Sequence, residues 1–159
     1  NEHAAEILEE ALKISPMDTD LRQSLIALLE EQGNEEAVLD QYIDMADAYY
    51  QLADTDSARN TFLSAIQLAQ RINAPRDKVI LILHRLGDIE VSRFDLRQAL
   101  RTYEQIRKLD PNDERARRES DPRRRVISLD LHFVVTLKRA PGFLQALDRE
   151  RLDLSFKIS

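Results

Sequence analysis

The stretch Arg97–Asp113, RQALRTYEQIRKLDPND, decides the fold. Tyr103 and Ile106 follow Ala99 at offsets of 4 and 7, the spacing of one face of an α-helix, and Pro111 follows at 12 to end it. The same spacing occurs twice upstream. Ala4, Leu8 and Ala11 lead to Pro16 at the same offset, and Ala58, Phe62 and Ala65 open a longer helix that breaks at Pro75. One amphipathic helix is ordinary; three in register are a repeat.

Each of the last two copies has a partner segment at a constant distance upstream. Tyr42, Met45, Ala46 and Tyr49 precede Ala58, and Leu83, Leu86 and Gly87 precede Ala99. Small residues let two antiparallel helices approach, and large ones fill the space between successive pairs. The remaining segments read as helices too. HAAEILEEALKISP stripes Ala4, Ile7, Leu8 and Ala11. MDTDLRQSLIALLEEQGN offers Asp18–Asp20 as caps, a stripe of Leu21, Leu25, Leu28 and Leu29, and Gly33-Asn34 as a stop. The run VILIL has strand-like composition, but its stripe continues through Leu86 and Ile89, which predicts a helix.

The pattern resembles the tetratricopeptide repeat, a helix–turn–helix unit of about 34 residues. YIDMADAYYQLADTDSARNTFLSA carries most of the motif, and LHRLGDIEVSRFDLRQALRTYEQIRKLDP carries it again with Glu90 where Tyr is usual. The resemblance covers roughly residues 1–118. It is irregular: Ala58 stands 54 residues after Ala4, and Ala99 41 after Ala58. Residues 35–54 are therefore expected to form one long helix serving both the helix before it and the unit after it.

The resemblance implies an all-α, right-handed helical array of about six helices. Packing falls to Ala4, Leu8, Ala11, Tyr42, Ala46, Tyr49, Ala58, Phe62, Ala65, Leu83, Leu86, Gly87, Ala99, Tyr103, Ile106 and Pro111. It also implies a concave face, lined by the first helix of each pair, that binds a peptide or protein segment. Carried over, that lining is Gln23, Glu30 and Glu31, then Asp40, Ile43, Asp44, Asp47 and Tyr50, then His84, Arg85 and Asp88. This set is mostly acidic, so the expected ligand is basic or mixed in charge and its binding salt-sensitive. The family's clamp for a chaperone C-terminal carboxylate uses Lys, Asn and Arg; Asp40, Asp44 and Asp47 stand in the way of that ligand. The resemblance thus predicts an interaction scaffold, with a regulatory or sensor module of a larger, bacterial-like protein as the alternative.

Composition points the same way. The 159 residues are 43% hydrophobic and 33% charged, with 3 Gly, 5 Pro and no Cys. Lack of Cys removes disulfides, thiolate metal sites and thiol nucleophiles. The three histidines, His3, His84 and His132, lie in different segments, and no phosphate loop, nucleophile elbow or zincin motif is present. The expectation is binding rather than catalysis, with no cofactor and no metal. Asp40, Asp44 and Asp47 share a helix face, but three carboxylates on one helix make a poor cation cage. No apolar run approaches the roughly 20 residues of a membrane span. The start NEHAAEILEE has no leader pattern and no Met, so the chain reads as a cytoplasmic, soluble fragment.

Charge divides along the chain. Residues 1–75 carry 4 basic and 15 acidic side chains, and residues 76–159 carry 19 and 14. The stretch RARRESDPRRR holds six arginines but no aromatic residue to stack bases, which argues against nucleic acid and for a solvated linker or a partner of the acidic half. After Pro111 the repeat fails: where apolar residues are needed stand Arg117, Ser120, Asp121 and Arg124. Residues 119–125 read as a basic linker. Residues 126–159 alternate as a strand–turn–strand tail, through Ile127–Leu137 and Leu152–Ile158. The array end and the tail strands are the candidate surfaces for self-association.

Overall fold

The computed structural model describes residues 2–121. Seven helices follow in order: α1 (Glu2–Ile14), α2 (Thr19–Glu31), α3 (Glu35–Gln51), α4 (Thr55–Arg71), α5 (Arg76–Ser92), α6 (Leu96–Leu109) and α7 (Glu114–Glu119). They fall in one compact unit, Asn1–Ser120, and each packs on its chain neighbours, most extensively within the α3–α4 and α5–α6 hairpins. Among the described residues there is no strand: the VILIL run lies inside α5. The strand–turn–strand expectation for residues 126–159, and most of the basic linker, lie outside the described residues.

Four of the six junctions are one turn repeated. Gly33, Ala53, Asn73 and Phe94 each take a left-handed conformation, with φ of 69, 62, 51 and 61°. In each case the following N–H reaches back five residues to a helix carbonyl: Asn34 to Leu29 at 3.0 Å, Asp54 to Tyr49 at 2.9 Å, Ala74 to Ala69 at 2.8 Å and Asp95 to Glu90 at 2.9 Å. This bond satisfies carbonyls that the helix end leaves open. In three of the four turns the next residue already caps the next helix. Asn34, Asp54 and Asp95 accept from the N–H groups of Ala37, Ser57 and Gln98. The other two junctions use proline: Asp18 donates back to Ser15 across Pro16, and Asp113 to Asp110 across Pro111.

The core forms two clusters. The larger runs through α1–α5 and includes Leu25, Ile26, Leu39, Phe62, Ile82 and Ile89, all but sealed from solvent. The smaller joins Leu83, Ala99, Tyr103, Ile106 and Ala116. Gly87 shows why its position is small. A Cβ built there would stand 2.8 Å from Cζ of Tyr103, so the glycine lets the Tyr103 ring lie against α5.

Three features differ from the sequence reading. α7 is a seventh helix where about six were expected, formed from part of the arginine-rich run. Asp113 caps it, and Ala116 is its buried anchor, one residue before the position where the repeat called for an apolar side chain. α1 turns a different stripe inward. Ala5 and Leu12 are buried, Leu8 and Ala11 half-buried, and Ala4 exposed, with Ile7 and Ile14 facing outward. Finally, Arg22 is buried at the head of α2. It donates to the Gln41 side chain at 2.7 Å, to Asp44 at 3.2 Å and to the Pro16 carbonyl at 3.0 Å, tying the first proline turn to α3.

Candidate partner-binding face

Asp40, Asp44 and Asp47 lie on one face of α3, and each meets a cation from another helix. Asp40 accepts from Lys78 of α5 at 2.5 Å, Asp44 from Arg22 of α2 at 3.2 Å, and Asp47 faces Arg85 of α5 at 3.5 Å. One step further, α5 meets α7 in the same way: Asp88 pairs with Arg115, and Nε2 of His84 lies 2.9 Å from Asp113. The carboxylates and cations form a ladder across α2, α3, α5 and α7. Burial pushes the Asp47 carboxyl above the usual range, Arg85 pulls it back, and Asp44 raises it further. Asp113 is also pushed up by burial, but the Ala116 N–H and His84 bring it below the ordinary value.

The ladder changes the electrostatic reading. The acids were legible from their spacing on α3, but their partners sit 22 to 38 residues away in sequence. Charge on this face is largely compensated and remains accessible: Asp40 and Asp44 are more than half exposed. Two apolar side chains stand beside it, Tyr50 three residues past Asp47 and Leu81 between Lys78 and Arg85, each exposed by over 40%.

The residues singled out by the sequence fall into distinct places. Asp40, Asp44, Asp47, His84, Arg85 and Asp88 are brought together by the ladder. Ile43 is buried in the core rather than offered to a ligand. Gln23 and Glu31 are exposed on α2, and Glu30 instead accepts from the Tyr42 hydroxyl at 3.3 Å. Among the packing residues, Ala46, Ala58, Phe62, Ala65, Leu83, Leu86, Gly87, Ala99, Tyr103 and Ile106 are buried. Tyr42 and Tyr49 are half-buried, and Pro111 is exposed in its turn. Arg22, Lys78 and Arg115 were missed. Only Arg22 carried a local signal: it lies three, four and seven residues before Leu25, Ile26 and Leu29, on the face that the core buries.

The tetratricopeptide repeat family model matches residues 37–112. These residues form a tetratricopeptide-repeat array. The match takes in α3–α6, the two hairpins whose spacing carried the sequence reading. Solved structures similar to the chain include two of MamA. One is 16% identical with a TM-score of 0.48, covering 95% of this chain and 89% of that one. The other is 14% identical with a TM-score of 0.47, covering 98% and 85%. No curated protein matches the sequence. Among the described residues, no helix is long and apolar enough to cross a membrane, and no group of three or more His, Asp or Glu side chains is placed to hold a metal ion.

Proposed function

We propose that the array is a protein-interaction scaffold that holds a peptide or protein segment along the ladder face of α3 and α5. The observation that carries this reading is a row of accessible, exchangeable charges flanked by the exposed Tyr50 and Leu81. An exposed ion pair contributes only about 0–1 kcal/mol, so a partner's charges can replace one member of a pair at little cost. A buried pair would resist such exchange. The aromatic and aliphatic side chains supply the desolvated contact that charge alone does not.

With both signs present, the partner is a segment of basic or mixed charge. Lysines or arginines replace Lys78 at Asp40 or add to the exposed side of Asp44, whose buried partner Arg22 stays in place. The segment's occasional acid meets Lys78 or Arg85, and an apolar side chain lies against Tyr50 or Leu81. Binding then weakens with salt, because the exchanged charges are screened. The test is a titration of basic, mixed and acidic peptides at low and high salt, against the wild type and Asp40→Asn/Asp44→Asn. The expected result is binding of basic or mixed peptides that weakens roughly tenfold in the double variant and falls with salt. Absence of binding by any peptide, or binding indifferent to the double substitution, removes this reading.

A further inference from the structure

A cleft of about 520 Å³ opens where three helix ends meet. Glu30 and Gly33 come from the end of α2, Glu35, Val38 and Tyr42 from the start of α3, and Ser64 through Arg71 from the end of α4. None of these residues belongs to the ladder. The cleft has an apolar base in Val38 and Leu68, both nearly sealed, and in the half-buried Tyr42 ring. Gly33 leaves one side open: a Cβ built there meets nothing within 4 Å.

Its lining carries two carboxylates, Glu30 and Glu35, against one guanidinium, Arg71. Residues 30–36 read EEQGNEE, four carboxylates in seven positions. The Tyr42 hydroxyl donates to Glu30 at 3.3 Å, and Arg71 donates to Glu35 at 2.8 Å. Among the described residues Arg71 is the one cation that lines the cleft, and it pairs with Glu35. The C-terminal ends of α2 and α4 add partial negative charge at the same place, and the N-terminal end of α3 offsets part of it. The Tyr42 hydroxyl is pushed up from its usual value by burial and then by Glu30, as expected in a negative setting.

We propose that this cleft takes one lysine or arginine side chain of a partner protein. The methylene stem lies on Val38, Leu68 and the Tyr42 ring. The cationic head meets Glu30 and shares Glu35 with Arg71, whose ion pair with it is exposed and exchangeable. A long basic side chain suits the lining because it joins an apolar stem to a charged tip. An anion does not suit it, since among the described residues the lining holds two carboxylates and one cation. A bare metal ion is disfavoured too, since no group of three or more carboxylate or imidazole ligands gathers among the described residues. The site goes beyond the ladder face and does not depend on it.

The test uses the peptide acetyl-Gly-Arg-Gly-amide and its citrulline counterpart, which keeps the shape and removes the charge. Amide NMR spectra are followed at Gly33, Tyr42 and the Gln67 side chain. The expected result is saturable shifts at these positions with the arginine peptide, and affinity about fivefold lower with citrulline. Glu30→Gln/Glu35→Gln weakens binding by a similar factor, and Ser64→Trp, at an exposed position on the wall, abolishes it. Asp40→Asn/Asp44→Asn leaves it unchanged, which separates this site from the ladder. Absence of shifts, equal response to citrulline, or shifts that survive Ser64→Trp in a variant of unchanged helicity overturns the proposal.

Discussion

The α3–α4 and α5–α6 hairpins are built on the same offsets, yet they fill the same positions differently. Ala46 and Phe62 in the first correspond to Gly87 and Tyr103 in the second, 41 residues later. All four are buried. Where the large residue gains a hydroxyl, the small one loses a methyl. Tyr103 uses that hydroxyl to donate to Asp88 at 3.3 Å, beside Arg115. Burial is the main force pushing the phenol up in pKa, with Asp88 adding to it. The half-buried Tyr49 is likewise replaced by Glu90, which is buried and accepts from Thr102 at 2.7 Å. The repeat therefore specifies shared volume rather than chemistry. The second hairpin uses that freedom to place polar groups inside and at the contact with α7.

The most direct way to break this comparison is to give the second hairpin the small residue of the first. Gly87→Ala gains about 1 kcal/mol of helix propensity. Against that, its methyl would stand 2.8 Å from a ring that is sealed in place and tethered to Asp88. The net expectation is a loss of about 1–2 kcal/mol in urea unfolding followed by circular dichroism. Tyr103→Phe frees the ring from Asp88 and lets it shift. The double variant, which copies Ala46 and Phe62, is expected to recover about 1 kcal/mol relative to the sum of the single changes. Simple additivity would show that the two positions do not compensate.

How far this was legible in the sequence depends on how many neighbours set each stripe. α3–α6 pack on both sides, so one face is demanded and the spacing reveals it. α1 packs chiefly on α2 and carries apolar residues on two faces, so Ala4 and Ala5 competed and the structure buries Ala5. At the site, the Asp40, Asp44 and Asp47 face followed from helical geometry alone. Lys78 and Arg115 did not, because their pairing with Asp40 and Asp88 depends on how one hairpin stacks on the next. Glu90 was visible only as a departure from the family's usual Tyr; its bond to Thr102 was not.

Glu90 sharpens the comparison by acidity. Burial raises its carboxyl above the ordinary 4.5, while Thr102 and Arg59 only partly restore it. The folded state thus holds this proton at a pH where the unfolded chain has released it. Its effect on stability is absent at low pH, appears as pH rises past the unfolded value, and levels off once the folded carboxyl has ionised. Glu90→Gln removes that penalty. The stability difference between variant and wild type should be near zero or negative at pH 4 and shift in favour of the variant as pH rises to 7. A difference that stays flat with pH would mean that Glu90 is compensated where it sits. Tyr49→Gln, at the matching place in the first hairpin, should show no such trend.

The turns offer the finest comparison, because here the two hairpins share a conformation but neither uses glycine. Ala53 ends α3 with φ of 62°, and Phe94 ends α5 with φ of 61°. Gly33 takes the same conformation at the end of α2, with φ of 69°, at no steric cost. An L-residue there costs about 1–2 kcal/mol relative to its preferred conformations. The same turn bonds hold all three ends, so the backbone will not move to relieve it. Ala53→Gly removes one exposed methyl and the strain together. Part of the gain is offset by the greater freedom of glycine in the unfolded chain. The expected net is a stabilisation of roughly 0.5–1 kcal/mol, read as a higher urea midpoint with an unchanged slope. Phe94→Gly relieves the same strain but also deletes a ring, so its gain should be smaller than that of Ala53→Gly. If Phe94→Gly stabilises more, the Phe94 side chain is itself a burden on the α5–α6 turn. If Ala53→Gly destabilises, the left-handed turn is not where either hairpin carries strain, and the resemblance between the two turns is one of shape alone.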